Sequence, residues 1–493
     1  MSEENSTAHE SEAEYDAVVI GGGPAGLAAA MGFIEHGVRP VILEKDHILG
    51  GIARTDSYKG FNFDMGGHRF FTKSKYVQNT WETLLGADFM NRPRLSRIYY
   101  KKKFFNYPPR LWNTLVGLGL PESVRVLSSY ARWQLIPYRK VKTFEQWVTN
   151  AFGRRLFQIF FETYTEKVWG ISCSELRAEW AAQRIKDLSL SVLMRNFVLK
   201  SRNQVKTLID QFRYPRLGPG MMWEAARQKI CESGGTIRLQ TEVVRIRRSG
   251  NRIDSVVIRE NGTEKEVRGN MFVSSMPAPE LIKKLDPPAP TEIAAAACEL
   301  KHRDFLTVCL IVNADRLFPD NWIYIHEPSV KVARIQNYKN WSESMVPDHS
   351  KTSLGMEYFC NSGDELWSTD DADLIALASR EIEAIGLARS DQVMDGCVFR
   401  VPNAYPVYDS TYDSSLMTIR RFCDNLENLR TVGRNGLHRY NNMDHSMITG
   451  MLATRMLVLG EKHDLWAVNA EQEYHEQTLQ PDSKEQCLVA GKS

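Results

Sequence analysis

The first sixty residues alternate between short apolar runs and glycine-rich turns. Residues 16–20 form an apolar run of the buried-strand type, a glycine-rich turn follows, and a helical pattern continues to about residue 37. A second apolar run over residues 39–44 predicts the next strand. Strand, helix and strand in this order predict a βαβ unit.

The rest of the chain mixes both periodicities. Alternation over residues 97–108 predicts a hairpin, and residues 111–200 are mostly helical in pattern and rich in aromatics. A helix is predicted from residue 218 to 230, then four strand-like runs over 236–246, 255–259, 265–268 and 271–275. A mixed segment over 313–401 precedes a strand at 429–432 and a helix over 444–460. No internal repeat or low-complexity linker separates these regions, so the domains are expected to interleave.

Composition narrows the class of protein. The 493 residues are 43% hydrophobic and 25% charged, and 62 Lys+Arg against 60 Asp+Glu leave a net charge of +2, which disfavours nucleic-acid binding. The acidic residues 1–14 do not resemble a signal peptide, and glycines interrupt the most apolar stretch, residues 17–34, so no transmembrane segment is predicted. Eight scattered cysteines and no HxH or HExxH pair predict reduced thiols, a cytoplasmic location and no metal site.

The turn after the first strand carries Gly21-x-Gly23-x-x-Gly26, and Glu44 ends the second strand. Gly21 permits the tight turn, Gly23 lets a pyrophosphate approach the helix N-terminus, and Gly26 allows close packing of helix on sheet. Glu44 can accept hydrogen bonds from ribose hydroxyls. The full context predicts a dinucleotide site, which also includes the adjacent Pro24, Ala25 and Lys45.

Two further glycine-rich segments indicate which dinucleotide binds. Residues 49–55 contain Gly50, Gly51 and Arg54, and residues 60–68 end in Gly66-Gly67-His68. This pair resembles the second fingerprint of the FAD-binding superfamily that includes amine oxidases, protoporphyrinogen oxidase and UDP-galactopyranose mutase. The resemblance implies FAD, with Arg54 on phosphate and Val243 contacting adenine through its backbone. No second GxGxxG unit for NAD(P)H is evident, so external reduction by NAD(P)H would have to occur at the flavin face.

The resemblance predicts an α/β fold with three parts. A Rossmann-like, glutathione-reductase-like FAD-binding domain is discontinuous over residues 15–100, 218–290 and 425–462. A helical insertion spans 101–217, and a mixed-sheet substrate domain spans 291–424. The acidic tail, residues 1–14, is expected to be disordered, and residues 463–493 are expected to form a helix and tail.

Four later segments resemble the pyranose mutases more than the oxidases. They are Tyr164-x-x-Lys167-Val168-Trp169 with Arg184, Trp322-x-Tyr324 with Arg334, Tyr405-Pro406, and Gly433-Arg434-Asn435-Gly436 followed by Tyr440, Asn442, Met443 and Asp444. Matching order and separation make chance similarity improbable. The resemblance covers residues 15–460 and implies a sugar-nucleotide pyranose/furanose mutase, of the kind used in cell wall or polysaccharide biosynthesis.

In that family reduced flavin N5 attacks the anomeric carbon while the diphosphate departs. Arg184 and Arg334 suit the task of holding the diphosphate, because guanidinium binds phosphate bidentately. His68 would lie beside N5. The residues implied for substrate are Tyr107, Trp169, Trp322, Tyr324, Tyr405, Tyr440 and Asn442, and those implied for the flavin after the last strand are Gly433, Arg434, Met443 and Asp444.

Alternatives remain open at this stage. The chain has Tyr107-Pro108-Pro109-Arg110 where eukaryotic mutases have Tyr-Pro-Phe-Gln, Thr165 where an Asn is usual, and Asn442 where bacterial mutases have Asp, so these positions are compatible with a different nucleotide or sugar. The tryptophans are equally compatible with core packing and the arginines with a solvated face. The rival function is an FAD-dependent oxidoreductase acting on a small molecule, and a third is a non-enzymatic flavin-binding module. The oligomeric state is undetermined.

Overall fold

The structure is a computed structural model that describes residues 11–107, 111–178 and 211–469. Its longer helices are Pro24–Glu35, Lys75–Leu85, Leu111–Leu118, Leu120–Leu135, Phe144–Phe152, Thr163–Trp169, Gly220–Glu232, Ala278–Lys283, Thr291–Glu299, Asp371–Ala384, Tyr412–Asp424 and Met443–Leu459. Its strands are β1 (Ser11–Ile20), β2 (Pro40–Leu43), β3 (Thr55–Tyr58), β4 (Phe61–Asp64), β5 (Phe89–Pro93), β6 (Ser96–Tyr100), β7 (Lys103–Asn106), β8 (Gln211–Pro215), β9 (Thr236–Arg238), β10 (Glu242–Ser249), β11 (Arg252–Glu260), β12 (Thr263–Ser274), β13 (Leu285–Asp286), β14 (His302–Val312), β15 (Trp322–Ile325), β16 (Arg334–Asn337), β17 (Thr352–Cys360), β18 (Val393–Pro406) and β19 (Leu429–Thr431).

The first large sheet contains the predicted βαβ unit. Its strand order is β13-β10-β11-β12-β1-β2-β9, with β19 also paired to β12. β1 runs parallel to β2 and to β12, so the carboxyl ends of these strands meet at one edge. The α/β fold class is therefore confirmed. β1 begins at Ser11, inside the predicted disordered tail, because its start pairs with β12.

The antiparallel part of this sheet differs in detail from the predicted strands. The first predicted run divides into β9 and β10 at Gln240, whose φ of 51° breaks the extended chain. The last two runs join as the single strand β12, because β12 pairs with β11 over its first half and with β1 over its second. Continuous pairing on both sides keeps the strand extended.

The helix Met443–Leu459 lies across the helix Pro24–Glu35. A Cβ on Gly450 would come 2.1 Å from the Ala25 carbonyl oxygen, and the Thr454 hydroxyl donates to the Ala29 carbonyl at 3.0 Å. The two backbones therefore touch, and this contact fixes the N-terminus of the helix Pro24–Glu35 at the edge of the sheet.

The second sheet has the order β18-β14-β17-β16-β15-β6-β7. The predicted hairpin is present as β6 and β7, but β6 pairs in parallel with β15, where Trp322 lies opposite Ser96. The predicted boundary at residue 100 separates two strands that the structure keeps together in the second sheet. The sequence gives no hint of this pairing, because the partner strand is more than 200 residues away.

The described part of the predicted insertion is mainly helical. Its helices lie over residues 111–169 and bury an aromatic core that includes Phe144 and Phe157. β8, near its end, pairs with β5. Within the described residues, no helix has both the length and the apolar character needed to cross a bilayer.

Candidate active site

A cavity of about 1240 Å³ extends from the carboxyl ends of β1 and β2 to the second sheet and the helical region. Ordinary small-molecule sites measure roughly 300–1,000 Å³. The cavity therefore has room for a dinucleotide and for part of a second molecule. Its wall contains both the glycine-rich turns and most of the residues predicted to contact substrate.

The turn after β1 leaves an open helix N-terminus at the cavity wall. Gly21 has a φ of 97°, which favours glycine, and Gly23 is the N-cap of the helix that begins at Pro24. No side chain caps this terminus, and the first turn contains no acidic residue. Its unpaired backbone N–H groups and the positive end of the helix dipole are therefore available to an anion.

The predicted glycines fall into two groups. A Cβ on Gly23 would lie 3.9 Å from the Gly51 Cα, so these two backbones form a narrow cradle that a side chain would fill. Gly26 and Gly50 do not reach the cavity wall. At Gly26 a Cβ would come 1.9 Å from the Gly21 oxygen, and at Gly50 it would come 2.4 Å from the Trp223 ring, so both positions need glycine for packing.

Glu44 and Arg54 place opposite charges on either side of the cradle. The buried Glu44 carboxylate accepts from the backbone N–H of Gly22 at 2.6 Å and of Asp46 at 2.9 Å, and burial raises its pKa. Each carboxylate oxygen has a second acceptor site for a ribose hydroxyl. Arg54 pairs with Asp46 at 3.2 Å, and its buried Nε has no hydrogen-bond partner among the described residues. An unsatisfied donor of this kind suits a phosphate oxygen.

The other predicted cofactor residues also line the cavity. The backbone carbonyl of Val243 also accepts from the Lys284 ammonium at 2.7 Å. Its carbonyl has one acceptor site left for adenine. These lining residues are Pro24, Ala25, Lys45, Gly66, Gly67, Val243, Gly433, Arg434, Met443 and Asp444.

His68 is held as a neutral ring at the centre of the cavity. Its Nε2 lies 2.8 Å from the Met65 carbonyl oxygen, and desolvation lowers its pKa to about 4, with Arg434 and Arg334 acting in the same direction. A neutral ring that donates from Nε2 to this carbonyl leaves Nδ1 as an acceptor. At neutral pH the ring is therefore uncharged and can accept a hydrogen bond at Nδ1.

Arg334 on β16 lies beside the same turn. Its Nη2 would be 3.9 Å from a Cβ on Gly66. Arg334 Nε is 2.9 Å from both carboxylate oxygens of Glu357 on β17, and Gln336 also donates to Glu357 at 2.8 Å. Burial opposes the charge of Arg334, but Glu357 raises its pKa, so the guanidinium stays charged and fixed. Its Nη1 makes no hydrogen bond to a described residue and is available to a ligand.

Glu357 was not among the residues predicted from the sequence. Its side chain is fully buried and lies in β17, a strand in which every residue is buried. A carboxylate within such a buried strand needs a charged or hydrogen-bonding partner. The single Glu in an otherwise uncharged run was therefore the sequence signal that could have identified Glu357. The solvated-face interpretation of Arg334 is wrong, because its side chain is only 17% exposed and belongs to this pair.

Aromatic side chains surround the charged pair. Arg434 lies 4.2 Å from the Tyr440 ring and 5.5 Å from the Tyr405 ring, and its Nε donates to the Asn441 carbonyl at 3.0 Å. Trp169 meets Tyr405 edge to face at 6.0 Å. Tyr405 also interacts electrostatically with Arg334, so it lies near both arginines. The predicted substrate residues that line the cavity are Tyr107, Trp169, Trp322, Tyr324, Arg334, Tyr405, Tyr440 and Asn442, whereas Arg184 lies outside the described residues.

Two further arginines join the wall without having been predicted. Arg94 lies 5.4 Å and Arg69 6.0 Å from the Trp322 ring. Tyr107 stacks near Tyr324 at 4.6 Å, and the nearby Tyr324 together with burial raises the pKa of Tyr107 to about 12. This part of the cavity is therefore basic and aromatic. Arg69 could have been noticed because it follows His68 directly, but nothing in the local sequence marks Arg94.

The cavity wall within the helical region has a different character. Six of its side chains form an aliphatic and aromatic patch and come from four helical segments, while Thr114, Thr165 and Arg177 line the cavity elsewhere in this region. The patch suits an apolar part of a bound molecule. The residues are Val126, Phe144, Phe152, Leu156, Phe160 and Phe161.

Enclosed neutral histidines predict sensitivity to acid. Desolvation lowers the pKa of His68 and His302 to about 4 and that of His326 to about 3, from an ordinary 6.5. Between about pH 6.5 and pH 4 the unfolded chain binds more protons than the folded one, so stability is full above pH 6.5 and falls as pH decreases. We expect the thermal unfolding midpoint to fall over this window. His302→Gln should flatten the fall, and an unchanged slope in that variant would contradict the assignment.

The comparisons with known proteins show the family and the fold. Residues 24–431 match the model for flavin containing amine oxidoreductases, so the chain belongs to that family, which implies FAD as cofactor. The fold is similar to reduced UDP-galactopyranose mutase, with a TM-score of 0.81 and 22% identity over 94% of this chain and 99% of that one. It is also similar to a protein described as a protoporphyrinogen oxidase from Exiguobacterium sp. 255-15, with a TM-score of 0.68 and 17% identity over 91% and 99% of the two chains.

The curated relatives that this chain matches include a desaturase. The 15-cis-phytoene desaturase of Glycine max is 22% identical over 293 residues, which are 55% of this chain and 48% of the relative. The chain spans about half the length of the curated relatives it matches. The protein is thus a member of a flavoenzyme family, and its particular reaction is a matter for proposal.

Proposed function

We propose that the protein is an FAD-dependent mutase that interconverts pyranose and furanose forms of a nucleotide sugar. The observation that carries this proposal is the position of Arg334. A charged, fixed arginine lies at the same turn as His68, and its Nη1 is free of partners among the described residues. A departing diphosphate needs such a donor beside the reacting carbon.

The residues around the cradle fit FAD. Gly23 and Gly51 leave a gap for the pyrophosphate, the open helix N-terminus supplies N–H donors, and Arg54 Nε lacks a partner. Glu44 would hold a ribose hydroxyl. When bound and reduced, FAD would supply an electron-rich nitrogen nucleophile.

The chain's own groups would then bind and orient the sugar nucleotide. Arg334, with Arg184 as its proposed partner, would hold the diphosphate oxygens, and the phenols of Tyr405 and Tyr440 would donate to the same group. The reaction is an isomerisation: the bond between the anomeric carbon and its phosphate oxygen breaks and forms again, and no net oxidation occurs. His68, neutral at physiological pH, would accept a hydrogen bond from a sugar hydroxyl.

The second candidate is an FAD-dependent oxidoreductase. The apolar cavity wall around Phe152 and Phe160 favours it, because a sugar nucleotide has no part that requires such a surface. The family and the desaturase relative are compatible with it as well. This function would need oxidised FAD and would leave a product that has lost two electrons.

The redox state of the flavin separates the two candidates. In the mutase, we expect activity only after reduction, for instance by dithionite, and no consumption of reductant during turnover, because the electrons stay with the enzyme. The assay incubates the protein with UDP- and dTDP-hexoses and separates pyranose from furanose forms by chromatography. Anaerobic bleaching of oxidised flavin by a substrate, with stoichiometric product oxidation, would contradict the mutase and support the oxidoreductase.

A further inference from the structure

The helix Leu120–Leu135 presents an apolar stripe to solvent. The exposed fraction is 79% for Leu120, 57% for Val124, 38% for Leu127 and 83% for Leu135, and Ile136 just beyond the helix is 69% exposed. At 100° per residue the first four lie within an arc of about 80°. Large side chains at this exposure cost free energy in water, and a contiguous apolar patch of this kind marks a binding surface.

The opposite face of the same helix packs against the rest of the protein. Ser123 and Val126 are buried, and Val126 lines the central cavity. The side chains of the apolar stripe are therefore not the ones that hold the helix on the protein. Its exposure cannot be explained by core packing.

Basic residues flank the stripe. Arg125 is 70% exposed, and Arg132, Arg139, Lys140 and Lys142 are also exposed. The only acidic residue over positions 120–142 is Glu122, which pairs with Arg155 and lies 3.5 Å from Arg125. The segment thus carries a net positive charge next to its apolar stripe. A negatively charged partner with an apolar interior complements both features.

Aromatic residues stand at the end of the helix. Trp133 and Tyr138 stack with ring centroids 4.7 Å apart, and both are half-buried. At 100° per residue Trp133 lies about 160° from the middle of the stripe, so this stacked pair faces away from the stripe and is not part of the proposed lipid-facing surface. The apolar stripe and the basic residues beside it are the features that define an interfacial helix.

We propose that the helix Leu120–Leu135 docks the protein onto an anionic lipid surface. The apolar stripe would enter the boundary between headgroups and acyl chains, and Arg132, Arg139 and Lys140 would contact anionic headgroups. The helix would lie in the plane of the surface, because the stripe runs along its length from Leu120 to Leu135. This inference is independent of the reaction proposed above.

The test is co-sedimentation of the FAD-loaded protein with lipid vesicles. We expect binding to vesicles of phosphatidylcholine mixed with phosphatidylglycerol, and little binding to phosphatidylcholine alone. Leu120→Ser, Val124→Ser and Leu135→Ser combined should weaken binding by about tenfold or more, since each removes exposed apolar area that the surface would bury. Gln in place of Arg132, Arg139 and Lys140 should weaken it by about a hundredfold at low salt.

The matched control is Met394→Ser with Leu459→Ser. These side chains are 57% and 50% exposed but lie elsewhere, so vesicle binding should be unchanged. All variants should keep their flavin and their thermal midpoint, because the altered side chains are exposed. Absence of binding in the wild type, or equal binding by the stripe variant, would overturn the proposal. So would size-exclusion chromatography in which the wild type is an oligomer and the stripe variant a monomer, since the stripe would then join copies of this chain.

Discussion

Replacement of Gly23 by aspartate is expected to give a folded protein that no longer binds FAD. A Cβ at this position meets nothing closer than the Gly51 backbone at 3.9 Å, so the fold can accept the side chain. The carboxylate would, however, occupy the gap between Gly23 and Gly51 and place a negative charge at the helix N-terminus, where it satisfies the N–H groups itself. The preparation should be colourless, as read from its absorption spectrum and FAD titration.

Two controls separate this loss from misfolding. Gly37→Asp introduces the same side chain at a glycine with no neighbour within 4 Å and should stay yellow, although its φ of 74° will reduce stability somewhat. Gly26→Ala should fail differently, because its Cβ would clash with the Gly21 oxygen at 1.9 Å and disrupt packing. If the Gly23→Asp protein were yellow and fully loaded with FAD, the gap between Gly23 and Gly51 would not be part of the cofactor site.

The turn around Gly23 could be predicted because its information is local. Strand, turn and helix lie within the 25 consecutive residues 11–35, and the spacing of Gly21, Gly23 and Gly26 has mechanical reasons that do not depend on the rest of the chain. The division of labour among the glycines is not local. The packing role of Gly26 follows from its spacing, but only the position of the Trp223 ring reveals that Gly50 also serves packing.

The pair of Arg334 and Glu357 could be predicted only in part from the sequence. Arg334 could be selected from its spacing to Trp322, but Glu357 stands 23 residues later on the neighbouring strand. Their contact depends on the register of β16 and β17, in which Arg334 lies directly opposite Glu357. Register is set by the whole sheet, so neither the pairing nor the consequent compensation of the charge of Arg334 could be predicted from either segment alone.

Removal of Arg334 is expected to weaken sugar-nucleotide binding by roughly 30-fold or more. Loss of one partner from a desolvated, hydrogen-bonded phosphate contact costs about 2–5 kcal/mol, and each 1.4 kcal/mol is a factor of ten. Arg334→Ala should keep its FAD, because Arg334 does not belong to the dinucleotide cradle. Arg334→Lys should recover only part of the affinity, since an ammonium keeps the charge but not the two-pronged geometry. The measurement is titration of UDP and a UDP-sugar into the reduced protein, followed by flavin fluorescence.

The effect of Arg334→Ala on stability can be separated from its effect on binding. Arg334→Ala leaves Glu357 uncompensated in a site where its side chain is fully buried, and breaking a buried pair in this way costs about 3–5 kcal/mol of stability. Arg334→Ala combined with Glu357→Gln removes the unpaired charge while Gln336 keeps a hydrogen-bond partner. The double variant should therefore regain thermal stability but not affinity. If affinity returns together with stability, Arg334 acts only by holding the sheet in place, and the diphosphate must be bound by other groups, of which Arg69 and Arg94 lie in the same cavity.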